Sequence, residues 1–266
     1  MAKIKIFCVS NVESSLLEKL DLTLAGVGKK GFSKKYINTK NKKNIQKKEQ
    51  NYSELTFHYW LWKNKLSNFD NKTWIGFCQK RRFWLKKKVK IKSFKDLQKN
   101  ILKKSPKKWS KYESVICNPV NVYNPKKMKI LKRGWKNLIK DPSIFYDSKK
   151  QNIKLHFDMH HGHGVLDKAI DVMNSNEKEE FRKYVNNNNK FNPNIMYISK
   201  KSFLRKWFKE LFNWLFRCEK IFGLKKLKGY DQKRLYAYLA ERYASFWFKK
   251  NTKFIQWHWA FFDIKK

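Results

Sequence analysis

Short apolar runs alternate with longer amphipathic stretches along the chain, the pattern of strands interleaved with helices. Residues Ile4 to Val9 alternate and then run apolar, as a first sheet strand does, and a second short element is predicted over Asp21 to Val27. Trp74 to Cys78 is an unbroken apolar run of the kind a strand buried on both faces requires. Tyr112 to Val122 reads as a further strand, bounded by prolines. A helix is expected over Asn51 to Lys65, opened by a capping box of Asn51 and Glu54, with Leu55, Tyr59, Trp62 and Leu66 forming its core stripe. Further helices are predicted over Phe94 to Leu102, Val165 to Met173, Phe203 to Phe222 and Asp231 to Phe248. The broad stripe Phe203, Leu204, Trp207, Phe208, Leu211, Phe212 and Leu215 favours core packing over a helix lying on a membrane. The tail Phe254 to Phe262 reads as a terminal strand or docking segment.

At 266 residues the chain fits one α/β domain with a helical carboxyl-terminal part from about residue 200. Residues 33–50 are rich in lysine and asparagine and are expected to form a mobile surface loop that closes over a ligand. With 41% apolar and 17% aromatic residues, a disordered polycation is excluded. The formal charge of +42 would ordinarily indicate nucleic acid, but the excess is lysine, with only eight arginines and abundant asparagine. That is compositional drift rather than a surface selected for phosphate, so no specific nucleic-acid partner is expected. The same charge attracts an anionic membrane face, at about 1 kcal/mol per cation near the surface, which leaves peripheral membrane contact open. Cys8, Cys78, Cys117 and Cys218 are far apart and lack metal-knuckle spacing, which implies a reducing compartment. The amino terminus is too short an apolar run for a signal peptide, and no stretch approaches the roughly 18–20 apolar residues of a membrane span. The expectation is a cytoplasmic protein, free or peripheral on the inner face of the membrane.

Candidate chemistry gathers at three places. The strand Trp74 to Cys78 runs into Gln79, Lys80, Arg81 and Arg82, and ligands of open α/β sheets sit beyond the carboxyl ends of strands. Paired guanidinium groups there suit phosphate oxygens. Ser10 and Asn11 end the first strand, where helix capping is an equally good reading, and Glu54 either binds a hydroxyl or caps its helix. His156, His160, His161 and His163 fall within eight residues, with Asp158 among them and Gly162 and Gly164 interleaved, and the segment reads as a loop leading into the next helix. Asp158 first, then His160 and His161, are candidate proton acceptors. Imidazole and carboxylate at such spacing also suit zinc, manganese or magnesium, so the competing function is a basic nucleic-acid-binding protein or a His/Asp metal-dependent nuclease. On the last helix Arg234 and Glu241 lie two turns apart, and structural pairing is the favoured reading of Glu241.

The segments Tyr52, Glu54, Leu55, Thr56, then Tyr59, Trp60, Trp62, Lys63, Asn64, and later Gly76, Arg81 and Arg82 resemble the domain of unknown function 4422 family, connected with capsule and exopolysaccharide synthesis. The resemblance resumes in the segments around Asn192 to Phe222 and Tyr230 to Phe248. It implies a GT-A-like, Rossmann-like single domain with a mixed, mostly parallel sheet and carboxyl-terminal helices. It also implies a glycosyltransferase that moves a hexose from a nucleotide sugar, UDP-linked by preference, to a surface-polysaccharide or lipid-linked glycan. Ser10, Asn11, Glu54, Gln79, Arg81 and Arg82 would then serve the donor, Asn194, Arg234 and Glu241 donor or acceptor, and Asp158, His160 and His161 catalysis. Lys80 stands where the family pattern has tyrosine, and the acidic donor-site turn and the Asp-x-Asp motif are absent. No metal ligands are therefore assigned, and the cofactor stays open, with Mg and Mn the ions to consider.

Overall fold

The computed structural model describes residues 3–29, 31–227 and 229–264. They form two compact units: one of Met1–Asn118, Asn194–Glu210 and Trp247–Lys266, the other of Pro119–Pro193 and Leu211–Phe246.

The first unit holds strands β1 (Ile4–Ser10), β2 (Thr23–Gly26), β3 (Tyr36–Asn38), β4 (Trp74–Gln79), β5 (Arg82–Trp84) and β6 (Ser114–Cys117). The second unit carries the short pair β7 (Val120–Asn121) and β8 (Lys190–Phe191), after which β9 (Tyr197–Lys200), β10 (Phe254–Trp257) and β11 (Trp259–Phe261) return to the first. The sheet order is β10-β6-β9-β4-β1-β2-β3, with β5 and β11 paired beside β4. Along that path β9 alone runs against its neighbours, so the sheet is mixed but mostly parallel. All six residues of β4 are buried, as the apolar run requires of a strand covered on both faces. Gly76 is needed there: a Cβ would stand 2.6 Å from Ile198 Cγ1 on the neighbouring β9. Cys8 and Cys78 are register partners on β1 and β4, and burial pushes the Cys78 thiol well up, so they serve as apolar filler.

Helices α1 (Ser15–Glu18), α2 (Glu49–Tyr52), α3 (Leu55–Asn64) and α4 (Phe94–Asn100) also lie in the first unit. The helix expected over Asn51 to Lys65 is thus broken, because Ser53 takes φ 51°. The capping box does not form at Glu54, and α3 buries Leu55, Thr56, Phe57, His58, Trp60 and Leu61 rather than the Tyr59/Trp62 stripe. Its rings pack into the sheet, Phe57 lying 5.2 Å from Phe7 and His58 4.0 Å from Phe77. His58 shares a hydrogen bond of 2.8 Å with the Tyr197 hydroxyl, and burial drives its pKa down to about 3.

Residues 33–50 hold a strand, the start of a helix and several hydrogen bonds. β3 pairs with β2, Thr39 Oγ1 donates to the Gly26 carbonyl (3.1 Å), and the Asn44 amide donates to the carbonyls of Lys40 and Lys42. Trp60 and Asn64 of α3 clamp the same segment through the carbonyls of Asn41 and Lys43.

The second unit is helical: α5 (Lys127–Lys140), α6 (Ile153–His161), α7 (Val165–Asp171), α8 (Ser175–Asn187) and α10 (Tyr230–Lys233). Two long helices, α9 (Lys201–Phe222) and α11 (Leu235–Asn251), pass from one unit to the other. Leu204, Trp207, Phe208, Leu211, Phe212 and Leu215 of α9 are buried, as the stripe predicted. Phe181 of α8 meets Trp214, Tyr243 and Phe246 at ring distances of 5.2–6.0 Å, and the Trp214 indole donates to the Ala169 carbonyl (2.7 Å). The histidine segment is not a loop: Asn152 caps α6 by accepting from the Leu155 amide (2.9 Å), and three of the histidines are helical. Gly162 (φ 119°) and Gly164 (φ 71°) then make the turn into α7, conformations that favour glycine.

Candidate functional site

In the first unit, β1 has β2 on one side and β4 on the other, both parallel to it. The chain winds outward from β1 to β3 and then returns to start β4 on the opposite flank, so β3-β2-β1-β4 reproduces a doubly wound half-sheet. Its topological switch point lies between the carboxyl ends of β1 and β4. In open sheets of this kind the loops on either side of a switch point diverge, and ligands bind there.

The residues at those ends are polar. Ser10 turns back on the chain, its hydroxyl accepting from the Val12 amide (3.2 Å) and donating to the Val12 carbonyl. Exposed Asn11 accepts from Lys80 Nζ (2.7 Å), which ties the end of β1 to the turn after β4. At the end of β2, Gly28 (φ 100°) lies beside Glu49 and Asn11: a Cβ there would come 3.5 Å from the Glu49 carboxylate. Gln46 donates to the Gly28 carbonyl (3.1 Å) and holds that corner in place. Glu54, half-buried, starts α3, where its carbonyl accepts from the Phe57 amide (3.1 Å).

The arginine pair is split by a hairpin that the sequence reading did not foresee. Lys80 and Arg81 form its two-residue turn, and Arg82 opens β5 opposite Gln79. Arg82 Nη1 donates to Gln79 Oε1 (2.9 Å), while Gln79 Nε2 donates to the Asn194 carbonyl (2.7 Å). Asn194 (φ 76°) and Ile195 (φ 50°) bend the chain into β9. Arg81 lies 3.7 Å from the Asp263 carboxylate, and both guanidinium groups stand 5.7–5.9 Å from the Phe261 ring. Both keep part of their surface in water.

The second unit holds the histidines. Asp158 is buried, and both of its oxygens are engaged: Oδ2 accepts from Asn137 Nδ2 (2.9 Å) and Oδ1 from the Gly164 amide (3.1 Å). Lys154 Nζ lies 3.8 Å from the same carboxylate and 3.1 Å from that of Asp167. Asn137 Oδ1 in turn accepts from His163 Nδ1 (2.8 Å), which fixes that proton on Nδ1 and makes Nε2 the basic nitrogen. The same logic applies to His160, whose Nδ1 donates to the His156 carbonyl (2.7 Å), and to His161, whose Nδ1 donates to the Asp231 carbonyl (2.9 Å). Burial lowers the pKa of His160, and burial with the Arg242 charge lowers that of His161 to about 3. His156 is different. Its Nδ1 accepts from Arg242 Nη2 (3.2 Å), and burial and that cation hold it neutral.

Arg242 is fully enclosed. It pairs with Glu241 through Nη1, and its guanidinium lies 3.8 Å from the Phe191 ring centre. An arginine partner of Glu241 is thus its own neighbour in sequence, and Arg234 follows α10, its carbonyl accepting from the Ala237 amide (3.0 Å). Among the described residues no three His, Cys, Asp or Glu side chains converge as ligands of a metal ion. Asp158, His156, His160 and His161 each hold a different partner.

A family model described as a domain of unknown function, DUF4422, matches residues 5–252. The chain belongs to the DUF4422 family. Its fold recurs in a solved structure titled as the bifunctional glycosyltransferase WbbM in the apo state, with a TM-score of 0.69 at 16% identity, over 97% of this chain and 45% of that one. This DUF4422 chain thus spans less than half the length of the protein it superposes on. No curated protein matches its sequence. No described helix is long and apolar enough to cross a membrane.

Asn137, Lys154 and Arg242 were not singled out as site residues from sequence, and His163 stood out only as a member of the histidine cluster. A lone asparagine among lysines carries no signal until α5 turns it inward. The only cue for Arg242 was an arginine adjoining the apolar stripe of its helix.

Proposed function

We propose that this chain is a GT-A-type glycosyltransferase that moves a hexose from a UDP-linked donor to a surface-polysaccharide or lipid-linked glycan. The observation that carries the reading is the switch point at β1/β4, lined by Ser10, Asn11, Lys80 and the Gln79–Arg82 pair. The likeness of the fold to that of the bifunctional glycosyltransferase WbbM supports the reaction class. The donor's nucleoside is assigned to Ser10, Asn11 and the Gly28 corner, and its diphosphate to Lys80, Arg81 and Arg82. These cations offset the charge that grows on the leaving diphosphate.

The second unit's candidate proton acceptors are His163 Nε2 and His160 Nε2, each on a ring whose Nδ1–H is already given to an oxygen. The acceptor oxygen bonds to the anomeric carbon as the bond from that carbon to the phosphate oxygen breaks, and the nucleoside diphosphate departs. Asp158 acts through Asn137, holding the amide that sets the His163 tautomer, and is a positioning residue. Glu241 positions Arg242. Asn194 orients Gln79.

Calorimetry with UDP and transfer assays with UDP-hexoses test the assignment. Lys80→Ala with Asn11→Ala is expected to weaken UDP binding about tenfold, as loss of a charge-assisted contact does. His163→Ala should leave that binding intact and slow transfer by roughly 10²–10⁴-fold. Transfer that persists in EDTA is expected, and strict dependence on Mg or Mn would move the load from the cations to an ion. Absence of binding to any nucleotide sugar would overturn the function.

A further inference from the structure

We propose that the outward face of α5 is a docking surface for an anionic lipid bilayer. Residues of this 14-residue helix divide between two opposite faces. Ile130, Gly134 and Asn137 are buried, with Gly134 close enough to α6 that a Cβ would meet Met159 at 3.4 Å. Met128, Leu131, Trp135 and Ile139 follow at spacings of three, four and four residues, which stacks them in one row on the far side. Their exposures are 60%, 46%, 51% and 72%. Four large apolar side chains in one row, turned away from the fold, form a patch rather than scattered surface residues.

The charges beside the row select its occupant. The helix carries Lys127, Lys129, Lys132, Arg133, Lys136 and Lys140 and no carboxylate. Asp141, just past its end, is bonded to Lys150 and Ser143. Lys136 Nζ lies 5.4 Å from the Trp135 ring centre, which sets a cation at the edge of the apolar row. An apolar row with a tryptophan, bordered by cations on long stems, is the composition of a helix that lies in a membrane interface. A second copy of the chain would set six cations against six. Duplex nucleic acid would leave tryptophan and isoleucine against a charged backbone. The assignment stands whether or not the chain transfers sugar.

Sedimentation of the full chain with vesicles tests it. Binding is expected to phosphatidylcholine–phosphatidylglycerol vesicles, weakening as salt is added, and at least tenfold weaker to phosphatidylcholine alone. Trp135→Ser with Ile139→Ser, and separately Lys132→Glu with Lys136→Glu, should each weaken it at least tenfold while leaving the thermal unfolding midpoint unchanged, since all four side chains are exposed. No binding by the parent chain, or binding indifferent to both double variants, overturns the proposal. So does a parent dimer that Trp135→Ser with Ile139→Ser dissociates, or duplex DNA binding in place of vesicle binding.

Discussion

His156, His160, His161 and His163 share a side chain and differ in which nitrogen is occupied. Three of them give Nδ1–H to an oxygen, and His156 accepts from a guanidinium instead. The sequence displayed the cluster but not this division, because Asn137, Asp231 and Arg242 approach from distant parts of the chain. His58 shows the opposite case, a histidine that belongs wholly to the core. Its folded pKa of about 3 lies below the unfolded value near 6.5, so the native state refuses a proton that the unfolded chain accepts. Its stability cost is absent above that unfolded value and grows as pH falls towards 3, at up to about 1.4 kcal/mol per pH unit, and His161 behaves alike. Urea unfolding at pH 7.5 and pH 5 should therefore show a marked loss on acidification, and His58→Gln should flatten the slope by about one proton.

Two strand glycines make contrasting tests at the scale of elements. A Cβ on Gly76 would collide with Ile198, whose side chain is enclosed between strands, so Gly76→Ala should cost about 1–3 kcal/mol in denaturant unfolding. At Gly26 the obstacle is the Phe32 ring, at 2.5 Å, which is only partly buried and can swing aside. Gly26→Ala is expected to cost less, and the reverse order would contradict this account. Strands β1, β2, β4 and β10 and the α9 stripe were legible because apolar runs and periodicity report burial directly. The break at Ser53 was not, since a serine in a left-handed conformation leaves no mark in the pattern. Nor was any element read between Val122 and the histidines: α5 presents its apolar residues on two faces, one covered and one bare, and lysines obscure both.

For the whole molecule, 63 cations against 21 carboxylates make self-repulsion the dominant long-range term. Raising sodium chloride from about 10 mM to about 300 mM shortens the Debye length from about 30 Å to below about 8 Å. The urea midpoint is expected to rise across that range, whereas a protein held by surface ion pairs would lose stability. Composition had already excluded a disordered polycation, but the division into two units was hidden, because each is assembled from separated stretches of chain.

The position of β9 has a consequence for synthesis. It is the strand that joins β4 to β6, yet it is encoded some 120 residues after β4. At roughly 5–20 residues per second, a ribosome takes on the order of ten seconds to deliver it. Through that interval the Trp74–Gln79 strand, apolar on both faces, has one edge without a neighbour. The nascent polypeptide is then open to aggregation, and a holdase that shields this edge should raise its yield.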